Sequence, residues 1–179
     1  ELNNKQSISF GFGIHGQIQP LGVYFAQTTD ENGNLVFPNH ELEITKSQHF
    51  VLGYDRSIGK YTHMKLEVYH QSIGNVPVSV DPTNTFSMLN NEYGFMTDPL
   101  INNGKGINKG VEFTLEQYLH NDFYFLLSSS IYDSKYQAAS GEWFNTRFNG
   151  QFAGSFTGWK EFKTGPGFGN RIIGINLKT

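Results

Sequence analysis

At 179 residues and a net charge of −3, the chain has the length of one domain or two small ones and no basic excess to hold nucleic acid. Cysteine is absent, which excludes disulfides, thiolate metal sites and cysteine nucleophiles together. Sixteen Phe, nine Tyr, two Trp and twenty Gly point to β structure, yet a hydrophobic fraction of only 37% leaves little material for a dry core.

The first predicted strand, Ser7 to His15, alternates Ile8, Phe10, Phe12 and Ile14 with serine, glycine and histidine. Side chains of a strand alternate between faces, so this segment builds one greasy and one wet surface. A long connection follows, in which Glu31-Asn32-Gly33-Asn34 is a turn signal that predicts a small hairpin between Gly22–Phe25 and Leu35–Phe37. Asn39 then reads as the N-cap of a short helix from Glu41 to Lys46, with Glu41 and Glu43 in its first turn.

The second strand is Gln48 to Asp55, closed by a turn over Arg56–Gly59. The third, Tyr61 to Gln71, sets Met64, Leu66 and Val68 against His63, Lys65, Glu67 and Tyr69. An irregular stretch from Ser72 to Asn108 comes next, followed by a fourth strand from Gly110 to Tyr118 with Glu112 and Glu116 on its polar face. His120-Asn121-Asp122 turns the chain into a fifth strand, Tyr124 to Tyr132, whose Leu-Leu-Ser-Ser-Ser centre leaves its facing open. Asp133 to Phe144 is a connection. The sixth strand is Thr146 to Thr157, with Phe148, Phe152 and Phe156 sharing a face with Gly150 and Gly154. A turn over Lys163–Gly169 leads to the seventh strand, Arg171 to Lys178.

No apolar run approaches the roughly 20 residues of a transmembrane helix, but seven strands near ten residues each match what a tilted strand needs to cross a bilayer. The connections alternate long and short, as in outer-membrane barrels with long extracellular loops and short periplasmic turns. The expected fold class is all-β: a transmembrane β-barrel segment of antiparallel strands. In such a barrel the apolar residues face lipid and the interior is polar, which resolves the scarcity of core material. Tyr54, Tyr61, Tyr118, Phe123, Tyr132 and Phe162 stand where an interfacial aromatic girdle belongs. Seven strands do not complete a single-chain barrel. Residues 1–179 are therefore expected to be a fragment, with any export signal upstream of Glu1.

The stretches Gly11–Leu21, Lys46–Asp55, Leu66–Gln71, Gly110–Glu116, Ser130–Tyr136 and Asn145–Gly150 resemble, in order and spacing, the C-terminal barrel half of TonB-dependent outer-membrane receptors. The resemblance is to the branch with carboxypeptidase-regulatory-like N-terminal extensions. It implies a barrel of about 22 strands with a plugged lumen and a place in the cell outer membrane. It also implies import of a siderophore, cobalamin, oligosaccharide or peptide, with energy drawn through the TonB complex, and it admits a surface lipoprotein as partner. Neither the plug nor the TonB box is located in these residues, and the chain stops at Leu177-Lys178-Thr179 rather than at the terminal aromatic usual in such barrels.

Candidate chemistry is sparse. The six histidines (His15, His40, His49, His63, His70, His120) lack metal-ligand spacing, and polar lumen or loop positions account for them. Glu112 and Glu116 are about 13 Å apart along a strand, too wide for glycosidase chemistry. They read as lumen acids neutralised by Lys65, Arg147 or a plug. Gly165–Asn170 lacks the Lys-Ser/Thr of a phosphate loop and reads as a turn. No cofactor and no enzymatic activity are expected. The candidate ligand-binding residues are the loop aromatics Tyr136, Trp143 and Phe144, which offer stacking surfaces. The alternative reading is a soluble two-layered β protein that binds carbohydrate through those aromatic loops.

Overall fold

The computed structural model describes residues 5–92, 94–163, 165 and 171–179. Strand β1 (Gln6–Gln17) leads through one helical turn, α1 (Leu21–Tyr24), and a two-residue ribbon, β2 (Thr28–Thr29) with β3 (Leu35–Val36). The long strands follow: β4 (Thr45–Ile58), β5 (Thr62–Ser79), β6 (Leu100–His120) and β7 (Phe123–Gln137). A short β8 (Trp143–Asn145), then β9 (Phe152–Lys163) and β10 (Ile172–Lys178) complete the chain. The main sheet runs β1-β4-β5-β6-β7-β9-β10, every pair antiparallel, with β8 added on β7. It is open: β1 and β10 are its two edges.

The seven strands, their order and the alternation of long and short connections agree with the sequence reading. Several local expectations do not hold. The hairpin at the Asn-Gly signal joins Thr28–Thr29 to Leu35–Val36, while Leu21–Tyr24 coils into helix. Asp30 drives this, taking hydrogen bonds from the Asn32 and Asn34 N–H groups at 2.9 and 2.8 Å. No helix forms over Glu41–Lys46; the chain turns at 40–41 and enters β4 at Thr45. The Ser72–Asn108 loop shrinks to residues 80–99, because β5 and β6 extend well past the predicted ends. The sixth strand starts at Phe152, not Thr146, so Phe148 lies before it. The turn expected over Lys163–Gly169 lies largely outside the described residues, as does Gly165–Asn170.

The short turns are locally determined. Asn121 and Asp122, at φ 52° and 60°, form a two-residue loop with both centres left-handed, the geometry whose twist matches the flanking strands. Gly59 supplies φ 72° between β4 and β5, a conformation that costs glycine nothing. All long connections leave from the opposite end of the sheet.

The buried core is not between layers. Among the described residues Val23, Ala26, Val76, Val78, Leu100 and Ala138 are the buried aliphatics, and they lie in the long connections or at the loop ends of the strands. Asn39, fully buried, donates its Nδ2 to the Asp98 carbonyl at 3.0 Å and accepts the Leu100 N–H at 2.8 Å. Rather than capping a helix, this side chain ties the first long loop to the second. Asn75, at φ 54° in a register shift of β5, adds to the tie. Its carbonyl accepts from Thr45 Oγ1 and Asn102 Nδ2, and its Nδ2 donates to Glu43.

Candidate functional site: the two faces of the sheet

The pairing register sorts every side chain to one of two faces. On one, Phe10, Leu52, Val68, Val111, Ile131 and Phe152 lie directly opposite one another across six strands. Two residues further toward the turn end follows Ile8-Tyr54-Leu66-Phe113-Ser129-Gly154, then Gln6-Arg56-Met64-Leu115-Leu127-Phe156. The register also settles β7, whose odd-numbered residues Phe123, Phe125, Leu127 and Ile131 share this apolar face. Phe10 is 70% exposed and Ile14 66%. A continuous apolar surface of this size is far larger than soluble monomers show. No second sheet covers it among the described residues, as a two-layered soluble protein would need.

The apolar zone is slanted. Its centre drifts from Phe10–Phe12 on β1 through Leu66 on β5 and Leu127 on β7 to Ile175 on β10. That is about nine residues over the interstrand steps from β1 to β10, or about 5 Å of rise per 4.8 Å step. A level apolar belt therefore requires strands tilted by roughly 45°, close to the tilt of barrels that span bilayers.

The other face is polar. One row reads Gly13-His49-Gln71-Asn108-Ser134, and its side chains are joined hand to hand. Gln71 donates to Ser47 (2.8 Å), Asn108 to Gln71 (2.8 Å), Ser134 to Asn108 (2.6 Å) and Thr146 to Ser134 (2.9 Å). The next row toward the turn end carries Tyr69 and Tyr132 on either side of Gly110. A Cβ at Gly110 would stand 2.7 Å from the Tyr69 hydroxyl and 2.9 Å from the Ile131 carbonyl oxygen, so glycine is what lets the ring lie flat there. His49, Tyr69, Gln71, Asn108, Tyr132 and Ser134, with Glu112, Asp133 and Phe148, line a recess of about 480 Å³. Its donors, acceptors and aromatic edges suit a polar ligand.

The strand acids other than Asp133 face this side. Lys65 pairs Glu67 at 2.8 Å and His63 pairs Asp55 at 3.2 Å, while Glu112 lies directly opposite Glu67 and Ser130. Arg147, expected to neutralise these acids, instead binds Glu92 at 2.6 Å within the loops. Among the described residues no group of three His, Asp or Glu side chains is placed to hold a metal ion.

The three predicted loop aromatics do not form one surface. Tyr136 lies in β7, only 6% exposed, and packs its ring on Phe144 at 5.7 Å between centroids; both are on the polar face. Trp143, 42% exposed, is opposite Gln137 and belongs to the apolar side of the register. Of the expected girdle, Tyr54, Phe123 and Phe162 are on the apolar face, whereas Tyr132 is on the polar one, its hydroxyl close over Gly150. The amide ties of Asn39, which is buried, and of Asn75 and Asn102, which are half-buried, were not anticipated. The run Val76-Pro77-Val78, apolar without alternation, was their one sequence signal, since such runs mark burial on both faces.

These features define a class: an open antiparallel segment of an outer-membrane-type β-barrel wall. No family model and no curated protein matches the chain. Among solved structures it is similar to the FrpB iron transporter from Neisseria meningitidis (F3-3 variant), at 12% identity and a TM-score of 0.58. The match covers 99% of this chain and 25% of that one, so the chain spans about a quarter of that transporter's length. At this identity the likeness establishes the fold.

Proposed function

We propose that residues 1–179 are part of the barrel domain of a TonB-dependent receptor in the cell outer membrane that imports a nutrient. The observation that carries this reading is the register. Seven antiparallel strands place a 45°-slanted apolar belt on one face and a hydrogen-bonded polar surface on the other. Resemblance to an iron transporter's fold supports transport as the task.

In this reading the apolar face meets lipid, the strands between β1 and β10 pair on both sides, and further barrel strands pair the two edges, as hydrocarbon requires. The long connections lie outside the cell and capture a siderophore, cobalamin, oligosaccharide or peptide. The polar recess around His49, Tyr69, Asn108 and Tyr132 lines the lumen at its outer mouth, with Phe144 packed on Tyr136 above it. The wall stays rigid while a plug, pulled by the TonB complex, opens the path; a surface lipoprotein is an admissible partner at the loop end. The chain carries out no chemical step on its ligand.

The test uses the complete protein. It is expected to need detergent, to migrate differently on a denaturing gel before and after boiling, and to accumulate ligand only while the proton-motive force is intact. A protein soluble without detergent and without a mobility shift overturns the membrane reading. Uptake that survives collapse of the proton-motive force overturns the energised one.

A further inference from the structure

We infer that the polar recess binds a neutral, extended β-linked oligosaccharide, laid across the strands on Tyr69 and Tyr132. The inference rests on the lumen reading above, which supplies the ligand's way in. The two tyrosines repeat one device. They share a register row on either side of Gly110, and each hydroxyl lies over a glycine. A Cβ would stand 2.7 Å from the Tyr69 oxygen at Gly110 and 2.7 Å from the Tyr132 oxygen at Gly150. Both rings therefore lean the same way along the sheet and lie flat on it, half-buried. Two interstrand steps separate them, about 10 Å. In a chain linked as in cellulose each pyranose is turned over relative to the last, so alternate sugars present the same C–H face at about that spacing.

The rest of the recess has the chemistry of a sugar site. The His49 imidazole meets the Tyr69 ring edge-on, at 79° and 6.3 Å between centroids, so it stands beside the platform as a wall. Among the described residues nothing hydrogen-bonds its nitrogens, the two tyrosine hydroxyls or the Glu112 carboxylate. These groups offer sugar hydroxyls both donors and acceptors. No lysine or arginine lines the recess. Lys109 and Lys135 belong to the other face, and Arg147 is held by Glu92. An anionic ligand, an iron chelate of catecholates or carboxylates included, meets a carboxylate there without a compensating cation. At about 480 Å³ the recess has the size of a small-molecule site. Beside Tyr132 the wall breaks its pairing. Residues 146–151 leave the ladder between β8 and β9, with Gln151 at φ 63°, and bring Phe148 to the rim. Bulges re-aim side chains in this way beside binding sites.

The test is isothermal titration calorimetry of the complete protein in detergent with three sugars. These are cellotetraose, maltotetraose, whose α-links curl the chain, and cellobiose, too short to reach both rings. Cellotetraose is expected to bind about tenfold more tightly than either, and Tyr69→Ala or Tyr132→Ala to weaken it about tenfold, as removal of an aromatic anchor does. Tyr69→Phe, which keeps the platform without its hydroxyl, is expected to lose less than Tyr69→Ala, and Tyr118→Ala, at the turn end, to lose nothing. No binding of cellotetraose by heat-modifiable protein overturns the proposal, as does equal binding of maltotetraose or cellobiose, whether or not the variants fold. So does undiminished binding by an alanine variant of either platform that keeps its heat-modifiable mobility, or a loss with Tyr69→Phe as large as with Tyr69→Ala. Cellotetraose binding by a protein that stays soluble without detergent upholds the site and overturns the barrel reading alone.

Discussion

Replacing Phe113 by arginine puts a charge at the middle of the apolar belt. Phe113 has Leu66 opposite on β5, Ser129 opposite on β7, and Val111 and Leu115 two residues away on either side. Asp133, the acid on that face, is one strand over and four residues along the register, about 14 Å away by strand geometry. A guanidinium on its stem does not span that distance, so the charge finds neither a partner nor the headgroup region. Barrel substitutions of this kind cost about 2–4 kcal/mol at the bilayer midplane, equivalent to a roughly 30- to 700-fold shift toward the unfolded protein. Thr114→Arg, one residue on and on the polar face opposite Lys65 and Ser128, is the matched control and is expected to cost under about 1 kcal/mol. Guanidinium unfolding of the complete protein in lipid vesicles reads both. Equal losses for Phe113→Arg and Thr114→Arg, or no loss for Phe113→Arg, would refute the facing and with it the slanted belt.

Asn39→Leu leaves the Leu100 N–H and the Asp98 carbonyl unpaired in a buried site, at about 1–3 kcal/mol for each such group. The expected result is faster hydrogen exchange over residues 18–44 and 80–99, with barrel unfolding in vesicles little changed. Gly110→Val drives a side chain against the Ile131 carbonyl and the Tyr69 hydroxyl, with an expected loss of about 1–3 kcal/mol. Tyr69→Ala relieves the hydroxyl clash but not the backbone one, so a partial rescue in denaturant midpoint is predicted. Asp81 has its carboxyl held below the ordinary range by the Thr83 N–H at 2.8 Å and the Thr83 hydroxyl at 2.7 Å. A lowered native value means the loop gains from this acid above about pH 4, the ordinary carboxylate value, and loses that gain as pH falls through the lowered one. An NMR titration should place Asp81 below a free aspartate and Thr83→Val should move it upward; no movement would show the hydroxyl to be idle.

The strands were legible because β1, β5, β6 and β10 alternate apolar and polar residues on a period of two, which fixes both structure and facing. Where alternation lapsed, facing was lost: Leu126-Leu127-Ser128-Ser129-Ser130 offers either choice, and only pairing of Ile131 with Val111 and Phe152 decides it. The Asn39 helix cap illustrates a different failure. An asparagine followed by two acids is a sound local signal, but its amide gained two long-range partners, at residues 98 and 100, that local sequence cannot show. The strand overhangs Ile73–Ser79 and Leu100–Ile107 were read as loop because asparagine and glycine crowd them. Those residues serve a bulged register and backbone-to-side-chain ties instead. Of the candidate ligand aromatics, sequence placed Tyr136 and Phe144 in one connection but did not show that Tyr136 is buried beneath its neighbour.

The tie made by Asn39 also orders the birth of the molecule. Asn39 belongs to the connection between β1 and β4, and both its partners, Asp98 and Leu100, lie where the connection from β5 enters β6. Neither loop completes its polar bonding alone, so the knot tightens only after both connections have reached the same end of the sheet. In the membrane wall proposed above, drawing either loop back once tied would carry its freed amides and carbonyls through hydrocarbon, at several kcal/mol for each unsatisfied group. There the tie would act as a ratchet, with Asn39 and Asn75 holding the two connections together at the far end of the strands.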